Sequence, residues 1–300
     1  MHRITMSLKS GIEVDESLAA LVRITFEAGD DLVASHWPYL CDTLFEKMRE
    51  MMSYAMGHLN SDGLEDAEFA LRMERLNVMF LIIRNMSLND SNAKRFAAHN
   101  HPKETLVQAL GMRNHPSLME LKNYALDLTE AMAHSVPYTA NDPLFDIIEQ
   151  GLESNDRGVL LGSMRSICRL IMGRDEFNRI GEIPMKTIRR IISLPMLEDE
   201  ELVSAALDFM YQYTTQEENI AKLIQASEGY ELVRHLVRLL LYQGITGEQL
   251  VYIKTVQKER PSFAIPQLPS DIVRELLSLT EPERATKWYV DLLLSSEGGG

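Results

Sequence analysis

Cysteine is nearly missing from this 300-residue chain; Cys41 and Cys168 are the only two. Residues so far apart cannot form a zinc knuckle, whose paired ligands sit two to four positions from each other. Each lies in an apolar-periodic segment, so both are expected to be small buried hydrophobes in a reduced compartment, nuclear or cytosolic. Strand signals are also scarce. There is little period-two alternation, no Asn-Gly hairpin turn, and only 7% aromatic residues. No run approaches the ~18 apolar residues that a membrane span requires, and residues 1–9 hold no apolar core followed by a cleavage site. A soluble protein with no membrane partner is expected.

Positive charge is in short supply: 30 Lys and Arg face 44 Asp and Glu, a formal charge of −14. A surface of that sign repels phosphate backbones, so direct DNA binding is not expected, although a local basic patch remains compatible with it. Chemistry-bearing motifs are missing too. The chain has no glycine-rich phosphate loop, no nucleophile elbow and no HExxH. His99 and His101, with His115 nearby, have no second ligand pair at a matching spacing, and a turn solvates histidines freely. No catalysis, cofactor, metal or small-molecule substrate is expected. The seventeen methionines fall mostly at core spacing and are expected to be packing.

What the sequence has in abundance is helical periodicity. Apolar side chains recur on one face at Leu76, Met79, Phe80 and Ile83; at Leu121, Tyr124, Ala125 and Leu128; at Leu160, Met164, Ile167 and Ile171; and at Leu202, Ala206, Phe209 and Tyr213. These segments also align with one another. Asn92, Asn178 and Asn219 each follow an apolar helix by a short polar turn. The first two are 86 residues apart, two periods of 43, and the third follows after 41; Ser135 holds the intervening position. A period of ~40–47 residues with two or three helices per unit is the signature of armadillo and HEAT repeats. Shorter helices complete each unit through Leu144, Ile147 and Ile148; Ile188, Ile191 and Ile192; and Leu232, Leu236 and Leu240. Asp142-Pro143 marks one helix start. Such helices cannot bury their faces alone, so they are expected to stack into a superhelix, an all-α solenoid of about five units.

Residues 1–260 are thus assigned to armadillo-like repeats. The amino-terminal unit fits more loosely, with faces at Leu18, Leu21, Val22 and Phe26 and at Leu40, Leu44, Met48 and Met51. An acidic, glycine-punctuated stretch near 57–72 predicts an extended inserted loop. PSFAIPQLPS (261–270) breaks the array, and residues 261–294 are assigned to a linker and a carboxy-terminal helical cap. There Thr280 and Glu283 form a capping box, and Trp288 is expected to pack with Ala285 and Leu292 against the last repeat. Residues 295–300 predict a flexible tail.

Charge is unevenly placed. Between Arg157 and Arg190, eight basic residues stand against three acidic; between Pro195 and Glu231, nine acidic residues stand against one basic. The acidic run LEDEE (197–201) precedes a helix, where carboxylates favour the amino-terminal end of the dipole. The two bands are either solvated helix faces or docking surfaces for oppositely charged partner segments. On the second reading, the candidate contacts are Arg165, Arg169, Arg174, Lys186, Arg189 and Arg190, together with Asn85, Asn92 and Trp288.

Residues 75–99, RLNVMFLIIRNMSLNDSNAKRFAAH, resemble an armadillo unit: helix, Asn-containing turn, helix. They are similar, more specifically, to the armadillo-like region of the ARID-family subunit of RSC- and PBAF-class SWI/SNF chromatin remodellers. The stretch 268–294, LPSDIVRELLSLTEPERATKWYVDLL, resembles the helix that closes that region. The resemblance spans roughly residues 15–294. It implies a nuclear, non-enzymatic core subunit that clamps other subunits, including an extended segment of the ATPase subunit. The sequence shows no ARID-like domain, winged helix or zinc finger, so the DNA-binding roles of longer members do not transfer. The alternative is a free-standing armadillo adaptor for peptides of transient partners. Peptide-binding arrays present a ladder of asparagines; here only Asn85 holds that place, with Leu128, Ile171 and Gln212 at its equivalents, which argues for an idiosyncratic permanent interface.

Overall fold

Three helix starts are fixed by aspartate side chains, one of them, Asp142, at the start expected from the sequence. Asp142 accepts a hydrogen bond from the Leu144 amide at 3.1 Å, ahead of Pro143. Asp156 does the same for Val159 at 2.9 Å and Asp199 for Leu202 at 3.2 Å. Each satisfies an amide that the helix cannot pair internally. Glu200 and Glu201 occupy the first turn of the helix that Asp199 caps, which accounts for part of the acidic run by dipole and capping alone.

The computed structural model describes residues 1–28, 32–60, 67–99, 101–174, 177–197 and 199–226. Among them there are twelve α-helices and no strand: α1 (His2–Ser10), α2 (Val14–Ala28), α3 (Pro38–Asn60), α4 (Ala67–Ser87), α5 (Asp90–His99), α6 (Pro102–Gly111), α7 (Met119–Met132), α8 (Pro143–Gly151), α9 (Arg157–Ile171), α10 (Met185–Ser193), α11 (Glu200–Thr214) and α12 (Glu217–Ala226). The chain divides into two units, residues 1–180 and 181–300.

In the first unit the helices form two rows. One row runs α1, α3, α6, α8 and the other α2, α4, α7, α9, each helix touching its neighbours within the row and its pair across it. Short α5 bridges from α4 to α6 and packs on α7, as the first helix of a three-helix repeat. A 3-10 turn at Ala34–His36 stands in the corresponding place before α3 and touches α5. In the second unit α10 and α11 pack together, and α12 packs on both. This is an armadillo-type helical repeat.

The apolar faces are closed. Leu76, Met79, Phe80 and Ile83 are all buried, as are Leu160, Met164, Ile167 and Ile171, and in the second unit Leu202, Ala206, Phe209 and Tyr213. Cys41 and Cys168 are free and buried, and burial pushes the Cys41 thiol up to about 12.

Three expectations need correction. Both ends of the loop expected near 57–72 are helical, because α3 continues to Asn60 and α4 already begins at Ala67. Phe26 is 82% exposed: the buried stripe of α2 is Leu18, Leu21 and Thr25, and the next residue lies ~100° further round the helix. Tyr124 is half-buried rather than core, turned toward the groove described below. Residues 227–300 lie outside the described residues, and with them the helix of Leu232, Leu236 and Leu240, the break at 261–270, the capping box, Trp288 and the tail.

Candidate functional site

The repeat period returns as geometry along the row α2, α4, α7, α9. Asn77 on α4 donates to Glu120 on α7 at 3.3 Å, and Arg84 on α4 pairs with Asp127 on α7 at 3.1 Å. Both pairs are separated by 43 residues, because equivalent positions of stacked repeats lie side by side. One step earlier, Arg75 on α4 grips both carboxylate oxygens of Asp15 on α2 at 2.7 and 2.9 Å. One step later, Glu130 on α7 stands 3.7 Å from Arg169 on α9. A ladder of polar pairs therefore crosses the exposed side of this row.

Between α4 and α7 the ladder borders a groove with a volume of about 470 Å³. Its apolar surface comes from Phe69, Met73, Val78 and Leu81 of α4, with Pro116 and Tyr124 opposite; its polar edge is Glu74, Asn77, Ser117 and Glu120. No lysine or arginine is among its described lining residues. The arginines of α4 are tied to other groups: Arg75 to Asp15, Arg84 to Asp127 at 3.1 Å, and Arg72 to Glu68 at 2.6 Å while lying over the Tyr54 ring at 4.0 Å. Glu120 is held from two helices, accepting from Asn77 and from the Tyr124 hydroxyl at 2.9 Å. Burial, and then the Glu120 hydrogen bond, push the Tyr124 phenol up to about 12, so it remains a donor at physiological pH. The groove thus combines an apolar floor with an oriented carboxylate whose two hydrogen-bond donors, Asn77 and Tyr124, are neutral.

Between α7 and α9 two glycines mark a close approach. A Cβ on Gly158 would come within 2.7 Å of the Asn123 amide, and one on Gly162 within 2.9 Å of the Leu126 Cβ. The two glycines, one turn apart, let α9 lie directly against α7.

The candidate contacts proposed from sequence have diverse fates. Asn92 is a correction: it is fully buried, accepting from the Ala34 amide at 2.7 Å and donating to the carbonyls of Leu32 and Met86 at 2.7 and 2.9 Å. All its polar capacity closes the turn after α4 onto the preceding repeat, so none is left for a partner. Asn219, also fully buried, makes the matching bond to the carbonyl six residues back, Tyr213, at 3.1 Å. Arg174 is a correction of the same kind. Its guanidinium donates to the carbonyls of Ala133, Val136 and Leu170 at 2.8, 3.1 and 3.2 Å, and it lies 5.4 Å from the centre of the Tyr138 ring. The turn after α7 has Ser135 where its relatives have asparagine, and Arg174 reaches in from the following repeat to satisfy the carbonyls there.

Asn85 is half-buried between α2 and α4, donating to Thr25 Oγ1 at 3.5 Å and accepting from Arg84 at 3.4 Å. Arg165 is half-buried on α9, whereas Arg169 is exposed beside Glu130. Arg179, also in the basic band, pairs with Asp146 at 2.7 Å. In the second unit, Lys186 and Arg189 are exposed and Arg190 half-buried on α10, whose other face buries Ile188, Ile191 and Ile192. Of the histidines, His101 stands 3.9 Å from Glu104 and His115 pairs with Ser117 at 2.7 Å. Among the described residues, no three His, Cys, Asp or Glu side chains converge as a metal site, and no helix is long and apolar enough to cross a membrane. The groove of α4 and α7 was not anticipated from the sequence. The 43-residue spacing of Asn77 and Glu120 was the signal that could have located its edge.

No family model matches the chain. The chromatin structure-remodeling complex subunit rsc9 of Schizosaccharomyces pombe is 27% identical over 294 residues, which is 95% of this chain and 37% of that protein. The chain therefore spans little more than a third of the length of this relative. Among solved structures, a designed armadillo repeat protein in complex with the peptide (KR)4 superposes with a TM-score of 0.58 at 13% identity, over 84% of this chain and 95% of that one. The second similarity shows the armadillo fold. The first extends the resemblance to an RSC-type subunit along nearly the whole chain.

Proposed function

We propose that this chain is a non-catalytic scaffold of a SWI/SNF chromatin-remodelling complex of the RSC type, in the nucleus, holding other subunits through its armadillo repeats. The observation that carries this reading is the 27% identity to rsc9 across 95% of the chain. The match runs along nearly the whole chain, which supports a likeness of the repeat array as a unit. Partners would include an extended segment of the ATPase subunit. Helical repeats suit this work because each adds surface without changing its neighbours, so a long partner segment can be followed unit by unit. The exposed Lys186 and Arg189 of α10 offer contacts to acidic partner segments, and Arg165 and Arg169 of α9 do so in the first unit.

Affinity purification of the tagged native protein from nuclear extract, at moderate salt, tests the proposal. The expected result is a fixed set of remodeller subunits, including the ATPase, in stoichiometric amounts. A spread of substoichiometric ligands with no ATPase would favour the free-standing peptide adaptor and overturn the reading.

A further inference from the structure

We propose that Ser193, the last residue of α10, is a phosphorylation site for an arginine-directed protein kinase, and that Arg189 and Arg190 then clamp the phosphate. The consequence rests on the reading of α10 as a docking face for acidic partner segments: the modification withdraws that face.

An arginine stands three residues before two hydroxyl side chains of the sequence, Ser87 and Ser193. Both hydroxyls donate to the carbonyl of that arginine, at 2.8 and 2.7 Å. Their surroundings differ. Ser87 is 3% exposed and closed to an enzyme, whereas Ser193 is exposed where α10 gives way to the 3-10 turn Leu194–Met196. Four residues beyond it Leu197 is 50% exposed, an apolar side chain that the fold leaves in solvent. One class of kinase selects an arginine three residues before its acceptor and an apolar residue four after it. Such an enzyme reads an extended segment, and the last turn of a helix opens more readily than its middle. In the transfer, Ser193 Oγ attacks the γ-phosphorus of ATP and the bond from that phosphorus to the β,γ-bridging oxygen breaks. ADP leaves, and the hydroxyl proton passes to the catalytic base of the kinase.

The placement of the cations decides what the phosphate does next. Lys186, Arg189, Arg190 and Ser193 fall at i, i+3, i+4 and i+7 on α10, a stripe turned away from the buried Ile188, Ile191 and Ile192. A phosphoserine carries about −1.5 to −2 charges. The carboxy-terminal end of the helix dipole opposes it with about half a charge, and two guanidiniums one turn away, each able to donate in pairs, outweigh that. The stripe is then close to neutral and loses its attraction for carboxylates.

Incubation of the whole chain with purified AMP-activated protein kinase and Mg-ATP, followed by peptide mapping, tests the site. One phosphate at Ser193 is expected, absent in S193A and entering about tenfold more slowly in Arg190→Gln and in Leu197→Ala. Phosphorus NMR of the product tests the clamp: the phosphate should titrate below its ordinary value of about 6 and return towards it in Arg189→Gln. A labelled twelve-residue glutamate-rich peptide should bind the phosphorylated chain about tenfold more weakly than the unmodified one. No phosphate at Ser193, rates indifferent to Arg190 and Leu197, or a phosphate that titrates as in a free peptide would each overturn the proposal, as would equal peptide affinity. If the unmodified chain fails to bind the peptide, it is the reading of α10 as a docking face that falls, and Ser193 is judged by the mapping and the phosphorus titration.

Discussion

The two contacts that α7 makes within its row differ although the repeat is the same. Toward α4 it presents Glu120 and Asp127, whose carboxylates meet Asn77 and Arg84 across a distance that long side chains must bridge, and Tyr124, whose hydroxyl donates to Glu120. Toward α9 it presents Asn123 and Leu126, and there the partner residues are Gly158 and Gly162. One contact is a polar ladder beside a groove; the other is a seam. Repeat architecture fixes which helices are neighbours, but the residue sizes at each junction decide how close they come, and so where a partner segment finds room. The same contrast extends to the turns. After α4 the chain closes its own turn with Asn92, whereas after α7 the closure comes from Arg174 of the next repeat.

The strongest break in this picture would come from beneath the ladder. Ile83 is fully buried on α4, so Ile83→Ala should cost about 2–5 kcal/mol in urea or thermal unfolding. An unchanged midpoint would mean that α4 does not carry the core there. Next is Asn92→Ala, which would leave the Ala34 amide and the carbonyls of Leu32 and Met86 without their bonds. Each stranded group costs about 1–3 kcal/mol before relaxation, so a loss of roughly 2–4 kcal/mol is expected. Ser135→Ala, at the equivalent place after α7, should change stability by less than about 0.5 kcal/mol. Equal losses at both positions would show that Arg174 is not what closes the second turn.

The glycine seam gives a finer test. At Gly162 a methyl group gains about 1 kcal/mol of helix propensity but meets the Leu126 Cβ, which is anchored to backbone, and overpacking of that kind costs about 1–3 kcal/mol. Gly162→Ala should therefore be neutral to destabilising by about 2 kcal/mol. At Gly158 the obstacle is the tip of Asn123, a side chain that can swing aside, and its Oδ1 accepts no hydrogen bond among the described residues. Gly158→Ala should be neutral or slightly stabilising. Stabilisation at both glycines would mean that α7 and α9 are not as close as the seam requires.

Much of this was legible in the sequence, and the reasons are physical. The repeat period shows in Asn92 and Asn219 because each donates to the carbonyl six residues back, near the end of the preceding helix. The core positions around Ile83 and Ile167 show because burial imposes the 3.6-residue period. Arg174 was misread as a docking cation because its acceptors, the carbonyls of Ala133 and Val136, are 41 and 38 residues away and a carbonyl leaves no trace in side-chain patterning. Asn92 was misread as a partner contact because a buried amide held by the fold has the same letter as a solvated one. The groove escaped notice because it is defined by what Glu74, Leu81 and Tyr124 jointly leave empty, and an empty volume has no residue of its own.

The smallest expected effect lies at the third contact of the row, between α2 and α4, where Arg75 holds Asp15 with two hydrogen bonds. The Arg75 guanidinium keeps the Asp15 carboxyl below its ordinary 3.8, chiefly through those bonds. The sign follows from that depression. Below the folded-state value both folded and unfolded chains hold the proton and the pair contributes nothing; above 3.8 both release it, and the folded state alone gains Arg75. The contribution is thus complete at neutral pH, persists down to about pH 4, and disappears as the pH falls through the depressed value. Asp15 is well exposed to solvent, so screening limits the pair to about 0–1 kcal/mol despite its two-pronged geometry. Asp15→Asn should lower the urea midpoint slightly at pH 7, less in 1 M salt where the Debye length is about 3 Å, and wild type and variant should converge only at pH values below 3.8. A gap that survives both high salt and acid would mean that Asp15 supports α2 by packing, and that this contact is not a rung of the polar ladder along the row α2, α4, α7, α9.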